Sequence, residues 1–251
     1  MSHNYNKNTI FLKKISYRAE RLDDSLVFFD FYDPSQQNDI KRELSLYEGL
    51  SYEFFGGHNL SERKMLCIFS TNKKQCIEWP MLVCSASIDF KVDHRMILGA
   101  IMQLGINRET LGDILIQDDK VQIVARQHIA SYISYISVNL LTIKGRDTQF
   151  LLDDITALST YKQNFEIIQV TINSFRIDAI ISAAYGISRD TATDIIKKRG
   201  VKINHEEKIK SSLNAQIGDL FSVRGKGRFV LDEFNGLTKK NKNKVTIKKY
   251  M

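Results

Sequence analysis

Arg189 stands directly behind Ser188 and ahead of Ala192, Ile195 and Ile196, which recur at helical spacing. A hydroxyl cap, free backbone N–H groups and a guanidinium converge at such a helix start, and together they suit an anionic oxygen. Asp190 opposes an anion there, and a plain cap with dipole-matched charge accounts for the same residues equally well. Lys197, Lys198 and Arg199 close the same helix, and Arg176 heads the one before it. Further on, Arg224-Gly225-Lys226-Gly227-Arg228 places three cations on a turn whose glycines let backbone approach a ligand closely. A bare hairpin turn would not need three cations, which favours contact with RNA over the other reading, a merely soluble turn. The chemistry these types and spacings offer is the holding of phosphate, not the making or breaking of bonds.

The elements that must position these residues are legible around them. Ile177, Ile180, Ile181 and Ala184 predict an amphipathic helix over 176–185, stopped by Gly186. Ser188 caps a second helix, which Gly200 is placed to end. Val201 and Ile203 then alternate with Lys202 and Asn204 as in a half-buried strand. Leu220–Val223 is a second strand, leading through the cationic turn into Phe229, Val230 and Leu231.

Charge is strongly divided along the chain. Residues 171–251 hold 17 Lys and Arg against 8 Asp and Glu, whereas residues 1–170 hold 19 against 21. A concentrated basic surface attracts a phosphate backbone by releasing its condensed counterions, although it can also be a solvated face. Lys239, Lys240, Lys242, Lys244, Lys248 and Lys249 read as a loose basic tail, either settling on RNA or simply solubilising.

Other function classes find little support. The Walker pattern and the dinucleotide glycine fingerprint are both absent. Cys67, Cys76 and Cys84 are odd in number and lack paired spacing, so buried free thiols are expected rather than a metal site or disulfides. His94, between Asp93 and Arg95, has no nearby nucleophile, and Asp93 reads as a helix cap. Arg63 and Lys64, after the Gly56-Gly57 pair, either reach phosphate or are surface cations on a turn. No apolar stretch of membrane-spanning length and no signal peptide is found, so a cytoplasmic protein without membrane contact is expected.

The middle of the chain reads as strand 81–90, a helix from Asp93 to Gly105, strands 113–117 and 121–124, helix 125–140 and a last strand 165–172. That order is the ferredoxin-like plan, which also underlies the RNA recognition motif, but no stretch carries the usual aromatic stacking signature. The sheet is therefore assigned to packing or docking. In residues 1–75, Phe11, Ile15, Leu22 and Phe29 predict one helix, while Pro34, Ile40, Leu44 and Tyr47 predict another.

The Arg176-Ile177-Asp178 opening, the Ser188-Arg189 pair, Gly200-Val201 and the Gly218-Asp219 step together resemble the S-four RNA-binding domain. Ile177 stands where that pattern usually has Leu, and His205-Glu206 where a Gly is common. With FFGGHNLSERK from Phe54, DHRMILGAIMQLGINRETLGDILI from Asp93 and GRFVLDEFNGLTKKNKNK from Gly227, nearly the whole chain resembles the YlmH family. The resulting expectation is an α+β protein: a mainly helical region 1–75, a ferredoxin-like (RRM-like) domain 76–173, an S-four domain 174–236 with two helices on a small sheet, and a basic tail 237–251.

The resemblance implies a monomeric, non-enzymatic binder of ribosomal RNA and transfer RNA on the large ribosomal subunit, acting in ribosome-associated quality control without a cofactor. The contacts expected to carry RNA are Arg176, Ser188, Arg189, Lys197, Lys198, Arg199, Lys202, Arg224, Lys226, Arg228, Lys239 and Lys240. An RNA-modifying enzyme of pseudouridine synthase type and a cell-division-associated protein are the alternatives; the synthase's second Arg-Leu-Asp motif in a large catalytic domain is absent.

Overall fold

A computed structural model describes residues 2–22, 25–71, 76–158, 164–198 and 200–250, with side chains from residue 11 onward. Helix α1 (Ser2–Ala19) is followed by β1 (Val27–Tyr32), α2 (Pro34–Leu44), β2 (Leu50–Phe55) and β3 (Lys64–Ser70). Asp33 starts α2 with a capping box shared with Gln36, and Pro34 occupies the first turn, where its missing N–H costs nothing. The mainly helical expectation for this region needs correction. The first helix stops at Ala19, Phe29 lies on β1, and the three strands form an antiparallel sheet in the order β1-β3-β2. Four apolar residues matched a helical period by spacing alone, whereas the aromatic run VFFDFY favours a pleated surface.

The middle segment contains β4 (Met81–Ser87), α3 (His94–Gln103), β5 (Leu111–Gln117), β6 (Lys120–Arg126), α4 (Gln127–Leu140), the short β7 (Thr142–Ile143) and β8 (Arg146–Asp147), and β9 (Leu151–Asp153). Its sheet has the antiparallel order β5-β6-β4-β9, which is the ferredoxin-like arrangement with β9 as the closing strand. The strand expected to close it, β10 (Phe165–Ile172), belongs to a different sheet. Alternation marks a strand but does not say which neighbour it pairs with.

Both faces of the middle sheet are covered. Cys84, Ala86, Ile123 and Ala125 pack under α3 and α4 against Ile97, Ile101, Ala130 and Ile133. On the other face, Met81, Val83, Leu115 and Val124 share a core with Phe31 and Met65 of the N-terminal sheet and with Leu158. Residues 1–161 are accordingly one compact unit, and the boundary expected near residue 75 falls inside it.

Residues 162–251 form the second unit. After β10 come α5 (Ile177–Tyr185), α6 (Arg189–Lys197), β11 (Val201–Ile203), β12 (Glu206–Glu207), β13 (Leu220–Val223), β14 (Gly227–Leu237) and β15 (Asn243–Tyr250). They build an antiparallel sheet in the order β10-β15-β14-β13-β11-β12. Ile180, Ile181 and Ile196 of the helices close over Phe221, Phe229, Leu231, Val245 and Ile247. The basic tail is thus corrected: β15 lies between β10 and β14, because Val245 and Ile247 alternate with polar residues and bury completely.

Candidate nucleic-acid interface

The corner between α5 and α6 is organised by one carboxylate. Asp178, in the first turn of α5, is 5% exposed in its side chain and accepts from both Nε and Nη2 of Arg176 at 3.1 Å. It also accepts from Nη2 of Arg189 at 2.8 Å and from the backbone N–H of Ala179. Burial pushes this carboxyl upward, but the hydrogen bonds from Arg176 and Arg189 outweigh burial and leave it below the ordinary carboxylate range. The two arginine side chains remain 40% and 47% exposed, so each is held at Asp178 without being buried. Ser188 caps α6 through the N–H of Thr191 at 3.0 Å, as its position predicts. Gly186, at φ 61°, makes the left-handed turn between the helices.

The cationic turn is tied to this corner by a residue that sequence reasoning passed over. Tyr185, the last residue of α5, donates its hydroxyl to the Gly227 carbonyl at 3.2 Å and packs edge-on against Phe229. Lys226 and Lys249 lie over its ring at 5.6 and 5.4 Å. The signal was an aromatic at the C-terminal end of an apolar helix, which reads as ordinary core without its partners. The turn itself needs positive φ at Gly225 and Gly227, 77° and 97°. Arg224 then donates its N–H to the Gly200 carbonyl at 2.7 Å, bringing the turn beside exposed Lys197 and Lys198 at the end of α6.

The expected contacts do not all converge. Arg176, Ser188 and Arg189 surround the helix corner, while Lys197, Lys198, Arg224 and Lys226 gather around Gly200 and the turn. Lys202 and Arg228 sit on the sheet face away from the helices, where Arg228 lies over the Tyr250 ring at 4.5 Å. Lys239 and Lys240 are exposed in the hairpin beyond β14. That strand has 11 residues, which puts them roughly 30 Å from the 224–228 turn. Arg199 lies outside the described residues.

Other candidates resolve into structure. Arg63 is committed to carbonyl oxygens, donating to Leu111 at 3.0 Å and to Phe31 at 2.7 Å, while Asp113 accepts from the N–H groups of Glu62 and Arg63. A Cβ on Gly56 would overlap the Arg63 carbonyl, so the glycine pair serves close packing of this segment. Asp93 caps α3 through the Met96 N–H, which fits the cap reading of the Asp93-His94-Arg95 trio. Cys67 and Cys84 are buried with thiols pushed up to about 12 by desolvation, but Cys76 is exposed, contrary to the buried-thiol expectation. Among the described residues no cluster suited to a metal ion occurs, and no helix is long and apolar enough to cross a membrane.

Two helices over a sheet, with carboxylate-held arginines at their first turns and a pinned cationic turn at the end of α5, have the chemistry to hold a phosphate backbone. The chain belongs to the YlmH family. Residues 86–153 match the family model described as "Putative RNA-binding domain in YlmH". Ribosome-associated protein quality control protein P2 of Bacillus subtilis (strain 168) is 30% identical over 225 residues, covering 88% of this chain and 86% of that protein. A solved structure titled cell division protein ylmH from Streptococcus pneumoniae superposes with a TM-score of 0.51 at 17% identity, covering 62% of this chain and 95% of the other. At that identity the likeness speaks for the fold alone.

The family-model match falls on the ferredoxin-like segment, where the helix-free face of the sheet is filled by Phe31, Met65 and Leu158. Base stacking of the kind RNA recognition motifs use is closed to that face.

Proposed function

We propose that this chain is a non-enzymatic RNA-binding protein that holds structured ribosomal RNA and transfer RNA on the large ribosomal subunit during ribosome-associated quality control. The observation that carries this reading is the Asp178-organised pair Arg176 and Arg189 at the first turns of α5 and α6, on the same unit as the 224–228 turn that Tyr185 pins at the end of α5. Arginines held by a carboxylate lose little further freedom on meeting phosphate, and their planar forks match its oxygens. The ribosomal setting is supported by the name of the Bacillus subtilis relative, whose length this chain largely spans. In that role the protein is a cytoplasmic monomer that acts by placed charge and shape, with Arg176, Ser188, Arg189, Lys197, Lys198, Arg199, Arg224 and Lys226 contacting the RNA backbone.

Co-sedimentation of the tagged protein with ribosomal particles at low and high salt tests this. Salt-sensitive association of wild type with free large subunits, lost in an Arg189→Ala, Arg224→Ala double variant, is the expected result. Absence of subunit association at either salt concentration overturns the ribosomal reading.

A further inference from the structure

The second sheet has one face covered by α5 and α6 and another on which strand register lines up cations beside aromatic rings. Lys202 pairs with Ser222, Ser222 with Arg228, and Tyr250 with Phe165. Because Phe229 pairs with Lys249, Arg228 stands level with Tyr250. Lys202, Ser222, Arg228, Tyr250 and Phe165 therefore form one row across five strands, roughly 19 Å long at ordinary strand spacing. Their neighbours Phe221, Val223 and Phe229 point into the core, so this row faces away from the helices.

The aromatic end of the row is built and accessible. Phe165 and Tyr250 meet edge-on at 5.1 Å, the Arg228 guanidinium lies over the Tyr250 ring at 4.5 Å, and Phe165 is 37% exposed. Ile167, in the next row, is 63% exposed beside Lys248, which pairs with it across the strands. Acidic residues are present on this face: Asp232 holds Lys248 at 2.9 Å, and Glu207 pairs with Lys202. Neither stands in the stretch from Arg228 to Phe165.

We propose that this helix-free face is a binding site for a short unpaired segment of RNA, with a base stacked at Tyr250 and Phe165 and the flanking phosphates held by Arg228 and Lys202. Aromatic planes take any base, and interleaved arginine and lysine follow the backbone, which is the general chemistry of single-strand recognition. A guanidinium lying over one of two adjoining aromatic rings suits an unpaired nucleotide better than an apolar protein surface. The site rests on the RNA-binding reading above and extends it: the helix corner grips structured RNA, and the opposite face takes an unpaired stretch.

The test uses the full chain and a short, unstructured oligoribonucleotide carrying a fluorescent adenine analogue, with a structured RNA hairpin measured in parallel. The expected result is saturable quenching by wild type and by Tyr250→Phe, and loss of the quench with about tenfold weaker oligonucleotide binding in Tyr250→Ala. Arg228→Ala is expected to lower the salt slope of oligonucleotide binding by about 0.7. Arg189→Ala is expected to weaken the hairpin while leaving the oligonucleotide quench in place. Should Tyr250→Ala fail to fold, Phe165→Ala on the edge strand gives the same reading. Hairpin binding without oligonucleotide quenching, or a quench indifferent to Tyr250→Ala, overturns the stacking site and leaves the helix-corner reading standing. Failure of wild type to bind either RNA overturns both.

Discussion

Arg189 reaches back from the start of α6 to donate to Asp178 at 2.8 Å, joining the first turns of two consecutive helices through a carboxylate that Arg176 grips from the other side. Sequence shows Arg176-Ile177-Asp178 as a helix opening and Ser188-Arg189 as a second one. Only the fold shows that both arginines answer to the same acid. The arginine most expected to touch RNA is therefore also a structural residue, and its affinity and stability effects have to be separated.

Asp178→Asn removes the charge and keeps the shape. Unfolding stability should fall by about 1–3 kcal/mol at neutral pH, measured by denaturant titration, since charge-assisted hydrogen bonds are lost from a nearly buried position. The bonds from Arg176 and Arg189 hold the folded carboxyl below its unfolded value. Its contribution is consequently complete above the ordinary carboxylate range and fades as pH drops through the lowered folded value. The stability gap between wild type and Asp178→Asn should narrow at acid pH, and a gap that stays constant would refute the assignment.

Tyr185 separates turn position from turn charge. Tyr185→Phe keeps the ring under Lys226 and Lys249 and loses only the bond to Gly227, so a cost of about 0.5–1.5 kcal/mol in stability is expected. Tyr185→Leu also removes the seat of both lysines. Hairpin affinity should then weaken while the salt slope stays close to that of wild type, because no cation has been deleted. A slope lower by a full unit would show that the ring does more than position the turn.

Much of the second unit was legible because local signals agree there: the apolar stripe of α5, the Ser188 cap, Gly186 and the Gly225 and Gly227 turn each point to the observed element. The loose-tail reading of 237–251 failed because lysines dominate its composition, while the alternation of Val245 and Ile247, which decides burial, spans few residues. Assigning β10 to the middle sheet failed for a different reason. Strand pairing is a long-range property, and its partner β15 lies some 80 residues further on. Tyr185 and the cross-strand row ending at Phe165 were invisible for a related cause, since helix-on-sheet packing brings together the partners of the first and strand register those of the second.

Thiol accessibility checks the first unit. Cys76 is exposed, whereas Cys67 and Cys84 are buried with thiols pushed up to about 12. A thiolate-selective reagent at mild alkaline pH should modify only Cys76 in the folded protein and all three after denaturation. Rapid labelling of Cys84 without unfolding would contradict its place beneath α4, where its thiol donates to the Ala130 carbonyl.

Arg63 distinguishes a scaffold cation from an RNA contact. Its guanidinium donates to the carbonyls of Phe31 and Leu111, and burial pulls its pKa below the ordinary guanidinium value despite the nearby carboxylates of Asp33 and Asp113. Arg63→Ala leaves those carbonyls without their donor, and a loss of roughly 2–4 kcal/mol is expected. Lysine cannot reproduce the fork that spans them, so Arg63→Lys should recover only part of that loss. Below the unfolding transition, hairpin affinity and salt slope should match wild type for both variants, because the side chain is turned into the fold. A weaker affinity with a slope lower by about one would instead place Arg63 against phosphate.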